Sequence, residues 1–388
     1  MTTVAGRDLR ASEPNGAAAT MGAPELRRGI ELTDHGSWTA AAAPNHGGFL
    51  CLDPLSAEWL RAQYEAGGPI SEEGLDSKES ADLMASLRRA GFTTDSTIDD
   101  RRIRATRRGI EISGPGRWLA AGYRVGLRGA VHPVGTALLG LVGLAGGLAL
   151  LWNRGSVGVP ADISPALVIA ALLLLEILAT LVHEAAHALV LIHHGRNVRR
   201  VGFGFYWGAI SFYVDAGEAL LLKRENRARQ SIAGPFADFV TAGISTLVAL
   251  SIGGPAGSVL LMFATLTWVG IAMNLVPFLE LDGYWFLADL LDRPQLRAEA
   301  RHSAALWWSR MPGASVWLTT YWIVSGGFGI ALLLIGCWGW WLVVGDLVRS
   351  LTGQGVVGLV LAAPLVLPMV ATWVSLGVQA VAHSRSHR

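Results

Sequence analysis

The sequence predicts a polytopic α-helical membrane protein of about six transmembrane helices, preceded by a small α+β domain. That expectation follows from a 388-residue chain that is 52% hydrophobic and only 16% charged, from six long apolar segments free of Lys and Arg, and from a group of short strand-like runs ahead of them. A soluble protein carries about 25% charged residues, and the mean hydropathy here is +0.41. The formal net charge of +1 gives no reason to expect a nucleic-acid partner. The two cysteines, Cys51 and Cys337, lie too far apart in sequence and setting to predict a disulfide framework or a Cys-based zinc site.

Residues 1–28 are rich in Ala, Gly, Ser and Thr, with little to bury, and are expected to form a disordered tail. With Asp8, Glu13 and no early apolar run, this end does not have the layout of a secretory signal peptide and is expected in the cytoplasm. Residues 29–97 are expected to fold as a small domain. Strand-like runs occur at Ile30–Thr33, Ser37–Ala41 and Gly48–Leu52. Asp53-Pro54 reads as an N-cap with proline at the first helical position, opening a helix that Gly67-Gly68 closes. A second helix over Ser77–Ala90 places Leu83, Met84 and Leu87 on one face and ends at Gly91. A unit of this size buries only a modest core, which favours a binding module over an independent catalytic domain. Residues 98–128 read as a basic juxtamembrane linker, with Arg101–Arg108 followed by Arg117, Arg124 and Arg128 beside the first apolar span. Its position favours anionic headgroups over simple solvation.

A membrane-crossing helix needs about 20 apolar residues. The six segments of that length are Ala130–Trp152, Pro165–His194, Ser231–Ile252, Ser258–Pro277, Val316–Val344 and Val356–Val381. Cytoplasmic loops carry the basic excess. The 195–230 loop has seven Lys or Arg and the 282–313 loop four, against Arg154, none and Arg349 in the opposite loops. Six spans with both termini in the cytoplasm satisfy every loop. Trp307, Trp308, Trp317, Trp322, Trp338, Trp340 and Trp341 crowd the fifth span and its approach, as an interfacial belt or a substrate groove.

Acidic residues assigned to the spans are few and fall only on the second, third and fourth, the last two of them just past Pro277: Glu176, Glu184, Asp238, Glu280 and Asp282. A carboxylate at membrane depth is costly unless paired or metal-bound, so it marks function. The second span contains His183-Glu184-Ala185-Ala186-His187. Residues four apart share a helical face, so both imidazoles can reach one metal with Glu184 beside them. Random composition, with 10 His and 15 Glu, gives roughly 0.01 such matches; the alternative is a structural His pair. Glu176 extends the same stripe, either as a supporting or proton-handling group or as an interhelical hydrogen-bond donor.

Two histidines leave a zinc site one protein ligand short. His193 lies off the zinc face of an uninterrupted helix. The better source is Asn274-Leu275-Val276-Pro277-Phe278-Leu279-Glu280-Leu281-Asp282-Gly283, where Pro277 breaks the helix and Gly283 permits a sharp turn that swings Asp282 towards the histidines. Glu280 is the rival ligand, and Asp282 is preferred.

These two motifs resemble those of the site-2 protease family of intramembrane zinc metallopeptidases, HExxH on one helix and NxxPxxxxDG on a later one. The resemblance covers residues 165–290, the core of an intramembrane metallopeptidase domain expected over 129–383. It implies one catalytic Zn2+ held by His183, His187 and Asp282, Glu184 as general base, Asn274 as a substrate-holding residue, and a bacterial cytoplasmic-membrane location. Gly234-Pro235 matches a further family motif; Asp238 stands where the family often has Asn, which leaves its role open. The site would lie about 16 Å below the cytoplasmic boundary at helical rise. The segment from Tyr213-Val214-Asp215 to Gly234-Pro235 resembles the peptide-maturation branch, and the order of strands then helices over 29–97 resembles the PqqD-like winged-helix domains that bind leader peptides. An unrelated α+β cap is the alternative there.

Residues Val198–Val214 alternate as two short strands around Trp207-Gly208, a hairpin that either receives an extended substrate at its edge or packs on headgroups. Three functions follow as expectations: removal of the leader from a ribosomally made, modified precursor peptide; release of a membrane-bound regulator such as an anti-sigma factor; or a non-catalytic peptide-binding or export partner. The partners expected are a precursor or other membrane-associated peptide, the bilayer and a peptide exporter.

Overall fold

The computed structural model describes residues 24–44, 47–71, 77–96, 103–106, 109–114, 116–153, 164–206 and 209–352. The chain divides into two compact units, 1–299 and 300–388.

In the first unit, β1 (Glu31–Asp34), β2 (Thr39–Ala42) and β3 (Phe49–Leu52) form an antiparallel sheet in sequence order. Helix α1 (Pro54–Ala66) starts as expected: the Asp53 carboxylate accepts from Ser56 N at 3.0 Å, with proline in the first turn. Helix α2 spans Ser77–Ala90. Leu50, Leu52, Trp59, Leu60, Leu83, Leu87 and Phe92 form the core of this module. The tail expected over 1–28 ends earlier than predicted. Glu25 and Leu26 bridge to Pro69 and Thr93, the Arg27 amide donates to Phe92 O at 2.8 Å, and Leu26 packs on the core. Leucine burial and the satisfied Arg27 guanidinium, which donates to Thr93 O and Ser96 O, explain why these residues fold onto the module. Residues 1–23 lie outside the described residues.

Strand β2 is buried on both faces. Ala41 belongs to the module core, while Ala40 and Ala42 join Trp38 and Leu221 in a second cluster. A run of alanines lets a strand be covered on both sides at close range, and the second cover is the loop that follows the second apolar helix. Cys51 lies at the edge of this second cluster. Burial pushes its thiol up to about 12, so it stays protonated and inert.

The expected linker over 98–128 is structured where it is described. Strands β4 (Ile103–Thr106) and β5 (Gly109–Ser113) pair antiparallel, and β5 pairs with β6 (Arg200–Tyr206), which pairs with β7 (Ala209–Val214). The expected hairpin therefore belongs to a four-stranded sheet of order β4-β5-β6-β7. Alternation of Ile103, Ile110 and Ile112 with polar neighbours is a strand period that the arginines masked in the sequence. Val201 and Val214 pack on Ala188, Leu191 and Val198, whereas Ile103, Ile110, Ile112 and Phe203 are exposed. Helix α3 (Gly116–Gly122), a π-helical segment (Tyr123–Leu127) and the short α4 (Arg128–Val131) then lead to the first apolar helix.

Among the described residues four helices are long and apolar enough to cross a membrane: α5 (Pro133–Trp152), α6 (Pro165–His193), α7 (Arg224–Ile252) and α8 (Gly254–Asn274). They match the first four expected spans, with α7 running seven residues further towards the N-terminus than Ser231. Leu141, Leu144 and Leu148 on α5 and Leu173, Ile177 and Leu181 on α6 are exposed, as lipid-facing side chains are. Helix α7 is the hub, packed against α5, α6 and α8. Its contact with α5 depends on glycine: a Cβ on Gly146 would overlap the Gly243 backbone, a close approach that membrane helices use in place of apolar burial. Gly146→Ala is expected to cost at least about 1–3 kcal/mol. Gly140→Ala, where a methyl would meet Phe236 at 3.7 Å, should stay within about 0.5 kcal/mol. Thermal unfolding in detergent separates the two. Helix α9 (Asp282–Leu290) follows α8 after a turn and packs on α7, and α10 (Leu296–Trp308) begins near the end of this unit.

In the second unit α11 runs from Val316 to Thr352 and contains the fifth expected span. Ser303 Oγ accepts from Ser315 N at 2.8 Å and ties the end of α10 to the start of α11. Trp307, Trp308, Trp317 and Trp338 are exposed. The sixth expected span, Val356–Val381, lies outside the described residues.

Candidate metal centre

His183 and His187 lie on α6, within its last three turns, where the four-residue spacing puts both imidazoles on the side that faces α7. Their Nε2 atoms are 3.3 Å apart. Asp282 opens α9, and its Oδ2 stands 3.0 Å from His183 Nε2 and 3.5 Å from His187 Nε2. Among the described residues these three are the group of His, Cys, Asp and Glu side chains whose ligand atoms converge, all within 4.8 Å of one another.

The orientation of each ligand is set from behind. His187 Nδ1 donates to the Gln230 carbonyl at 2.6 Å and His183 Nδ1 to Asp238 Oδ2 at 2.8 Å. Both partners only accept, so each Nδ1 carries the proton and each Nε2 presents a lone pair. Asn274 Nδ2 donates to Asp282 Oδ2 at 2.8 Å, and the Asn274 side-chain carbonyl accepts from the Asp282 amide at 3.1 Å. Two nitrogen lone pairs and a carboxylate oxygen facing one point repel each other unless a cation lies between them. Tetrahedral zinc with ligands at about 2.0–2.1 Å spaces neighbouring ligand atoms about 3.3 Å apart, which the separations of 3.0, 3.3 and 3.5 Å match. The donor set and its spacing fit Zn2+.

Helix α7 closes the site from the third side. A Cβ on Gly234 would overlap the Nε2 atoms of both histidines, so glycine is the residue that lets α7 lie against the imidazoles. Glu184 stands outside the ligand group, and its Oε2 accepts from the Val214 amide of β7 at 2.8 Å.

Each residue singled out in the sequence can now be located. His183, His187 and Asp282 are brought together with Glu184 beside them. Asn274 braces Asp282 through two hydrogen bonds, a positioning contact additional to the substrate-holding role that the resemblance implies. Glu280 turns away towards Arg297, 3.5 Å distant, and is half exposed. His193 is engaged by the Tyr123 hydroxyl at 2.8 Å. Gly283 acts differently from expectation: it lies inside the first turn of α9, and the lack of a Cβ lets it pack on the Leu275 backbone. The swing of Asp282 comes from the end of α8 at Asn274 and the Asn274 brace. Asp238, whose role the sequence left open, holds His183; an acid four residues after Gly234 in an apolar helix was the available signal. The Gln230 contact uses a backbone carbonyl, for which no residue-type signal exists. Glu176 lies outside the ligand group, a turn before Thr180, whose hydroxyl donates to its backbone carbonyl at 2.8 Å.

Residues that orient a metal-bound imidazole are worth about 10- to 100-fold in metal affinity. Asp238→Ala is therefore expected to weaken zinc binding by about that factor while leaving the helices intact, as read by chelator competition and circular dichroism. No protein-family model, no curated protein and no solved structure matches this chain.

Proposed function

We propose that the chain is a zinc-dependent intramembrane endopeptidase of the site-2 protease type. On this reading it removes the leader from a ribosomally made, modified precursor peptide at the cytoplasmic side of a bacterial membrane. The observation that carries the reading is the convergence of His183, His187 and Asp282 with Glu184 beside them, on helices apolar enough to span a bilayer.

When bound, zinc supplies Lewis-acid polarisation of the scissile carbonyl and lowers the pKa of water to about 7. The chain does the rest. Asp238 and the Gln230 carbonyl hold the imidazoles in the ligating tautomer, and Asn274 holds the Asp282 carboxylate. Glu184 takes the proton of the attacking water and returns it to the leaving amine. The Val214 amide holds one Glu184 oxygen and thereby fixes the carboxylate. Among the described residues strand β7 ends its sheet, so an extended segment passing its Val214 end meets the general base. Strands expose their peptide bonds where a helix hides them.

Leader capture is assigned to the N-terminal module of three antiparallel strands and two helices. Two features support it: a module too small for its own catalytic site, and its packing against the loop that bears β6 and β7. The reading is tested with the purified full chain in liposomes, supplied with zinc and a leader-bearing precursor peptide. Cleavage should stop with a zinc chelator and return when zinc is restored. Tight precursor binding without cleavage, at full zinc occupancy, would overturn the protease reading in favour of a binding or export partner.

A further inference from the structure

Among the described residues Arg227 is the largest side chain that is fully buried, at 1% exposure, and it lies outside the metal site. It sits on the first turn of α7 and uses its whole guanidinium. Nε donates to Asp289 Oδ1 at 3.0 Å, Nη2 donates to Asp292, and Nη1 donates to Leu222 O at 3.3 Å and to His35 Nδ1 at 3.2 Å. Trp38 covers it, with the ring centroid 5.0 Å from the guanidinium carbon, and Trp38 Nε1 donates to Asp292 Oδ1 at 3.2 Å. His35 stacks on Trp38 and donates through Nε2 to Leu220 O at 2.8 Å. Accepting from an arginine at one nitrogen and donating at the other requires neutral His35, and burial, together with the Arg227 charge, holds its pKa below the usual histidine range.

Three parts of the chain therefore meet at one cation: the β1–β2 connection of the N-terminal module, the start of α7 and the end of α9. Two of these carry the metal site. Gln230, whose carbonyl orients His187, is one turn from Arg227 on α7. Ser231, four residues on, donates to Asp289 Oδ2 at 2.7 Å. Asp282 and Asp289 are seven residues apart on α9, two turns on one face. The Arg227–Asp289–Ser231 clamp thus sets the axial register of α9 against α7, and with it the position of Asp282 over the two imidazoles.

We propose that Arg227 is a positioning residue through which the N-terminal module tunes the metal centre: seating His35 and Trp38 on Arg227, Asp289 and Asp292 holds Asp282 in ligating register. This rests on the zinc reading of the site and extends it to regulation, because a peptide engaging the module near this contact acts on the same clamp. A bidentate guanidinium is not replaced by an ammonium, so Arg227→Lys keeps the charge and loses the fork. Trp38→Phe keeps a ring over Arg227 and removes only the donor to Asp292.

The test is zinc affinity of the full-length chain in detergent, by competition with a chromophoric chelator. Arg227→Lys is expected to weaken zinc binding about tenfold, the lower end of the range for ligand-supporting groups. Trp38→Phe should shift it in the same direction, and the double variant should be no weaker than Arg227→Lys alone. Gly146→Ala, which loosens the α5–α7 contact, serves as the control: a purely structural role would lower melting temperatures for all these variants and leave affinity unchanged. Wild-type affinity in folded Arg227→Lys overturns the proposal; should that variant fail to fold, wild-type affinity in Trp38→Phe does so. A wild-type chain that binds no zinc removes the metal centre and this proposal together, whereas zinc binding that is insensitive to both variants removes the proposal alone.

Discussion

Glu184→Gln is expected to bind zinc as tightly as the wild type and to lose cleavage by about 10²- to 10⁴-fold, the usual contribution of a positioned general base. The substitution keeps side-chain length and an acceptor oxygen, so the bond from the Val214 amide at 2.8 Å can persist. The candidate ligand atoms belong to His183, His187 and Asp282, so on the proposed reading the substitution leaves occupancy unchanged. On the proposed mechanism, what disappears is the ability to take a proton from water and deliver it to the leaving amine. Metal content and single-turnover cleavage of a precursor, measured on one preparation, check both halves. Retained cleavage at full occupancy would remove Glu184 from the mechanism.

Gly234→Ala is expected to lower zinc affinity by about 100-fold, the upper end of the effect of groups that position ligands. A single methyl at this position would overlap both Nε2 atoms, so either α7 moves off α6 or the imidazoles turn out of register. Either movement also strains the bonds from His183 to Asp238 and from His187 to Gln230, which both depend on α7. Gly270→Ala on α8, where nothing lies within 4 Å of the added methyl, is the matched control. Equal zinc affinity in the two variants would show that α7 does not lie on the imidazoles in the folded protein.

The elements that were legible in the sequence are those whose signals are local. Asp53-Pro54 opened α1, and a run of 29 residues without Lys or Arg became α6. The HExxH spacing alone put both histidines on one face, and the end of α8 before Pro277 freed the chain to bring Asp282 back. Elements whose partners are distant in sequence were misread. The basic linker expected over 98–128 is dominated by arginines, yet within it Gly109–Ser113 pairs with β6 some 90 residues later. Leu26 and Arg27 read as tail because the Thr93 that Leu26 bridges to, and the Thr93 and Ser96 carbonyls that accept from Arg27, lie more than 60 residues away. Asp238 carried a visible signal, an acid in an apolar helix, without a visible partner.

By itself the sequence determined the apolar helices and the chemical identity of the candidate ligands, because helix period, hydropathy and donor type are properties of residues and their neighbours. Only the tertiary structure decided which carboxylate joins the histidines, which groups hold the imidazoles in one tautomer, and that α7 passes close enough to require glycine at 234. It also decided that a buried arginine at the start of α7 joins the N-terminal module to α9. These depend on the packing of helices and strands far apart in the chain, where a one-turn shift would exchange Asp282 for another residue and leave the local sequence signals unchanged.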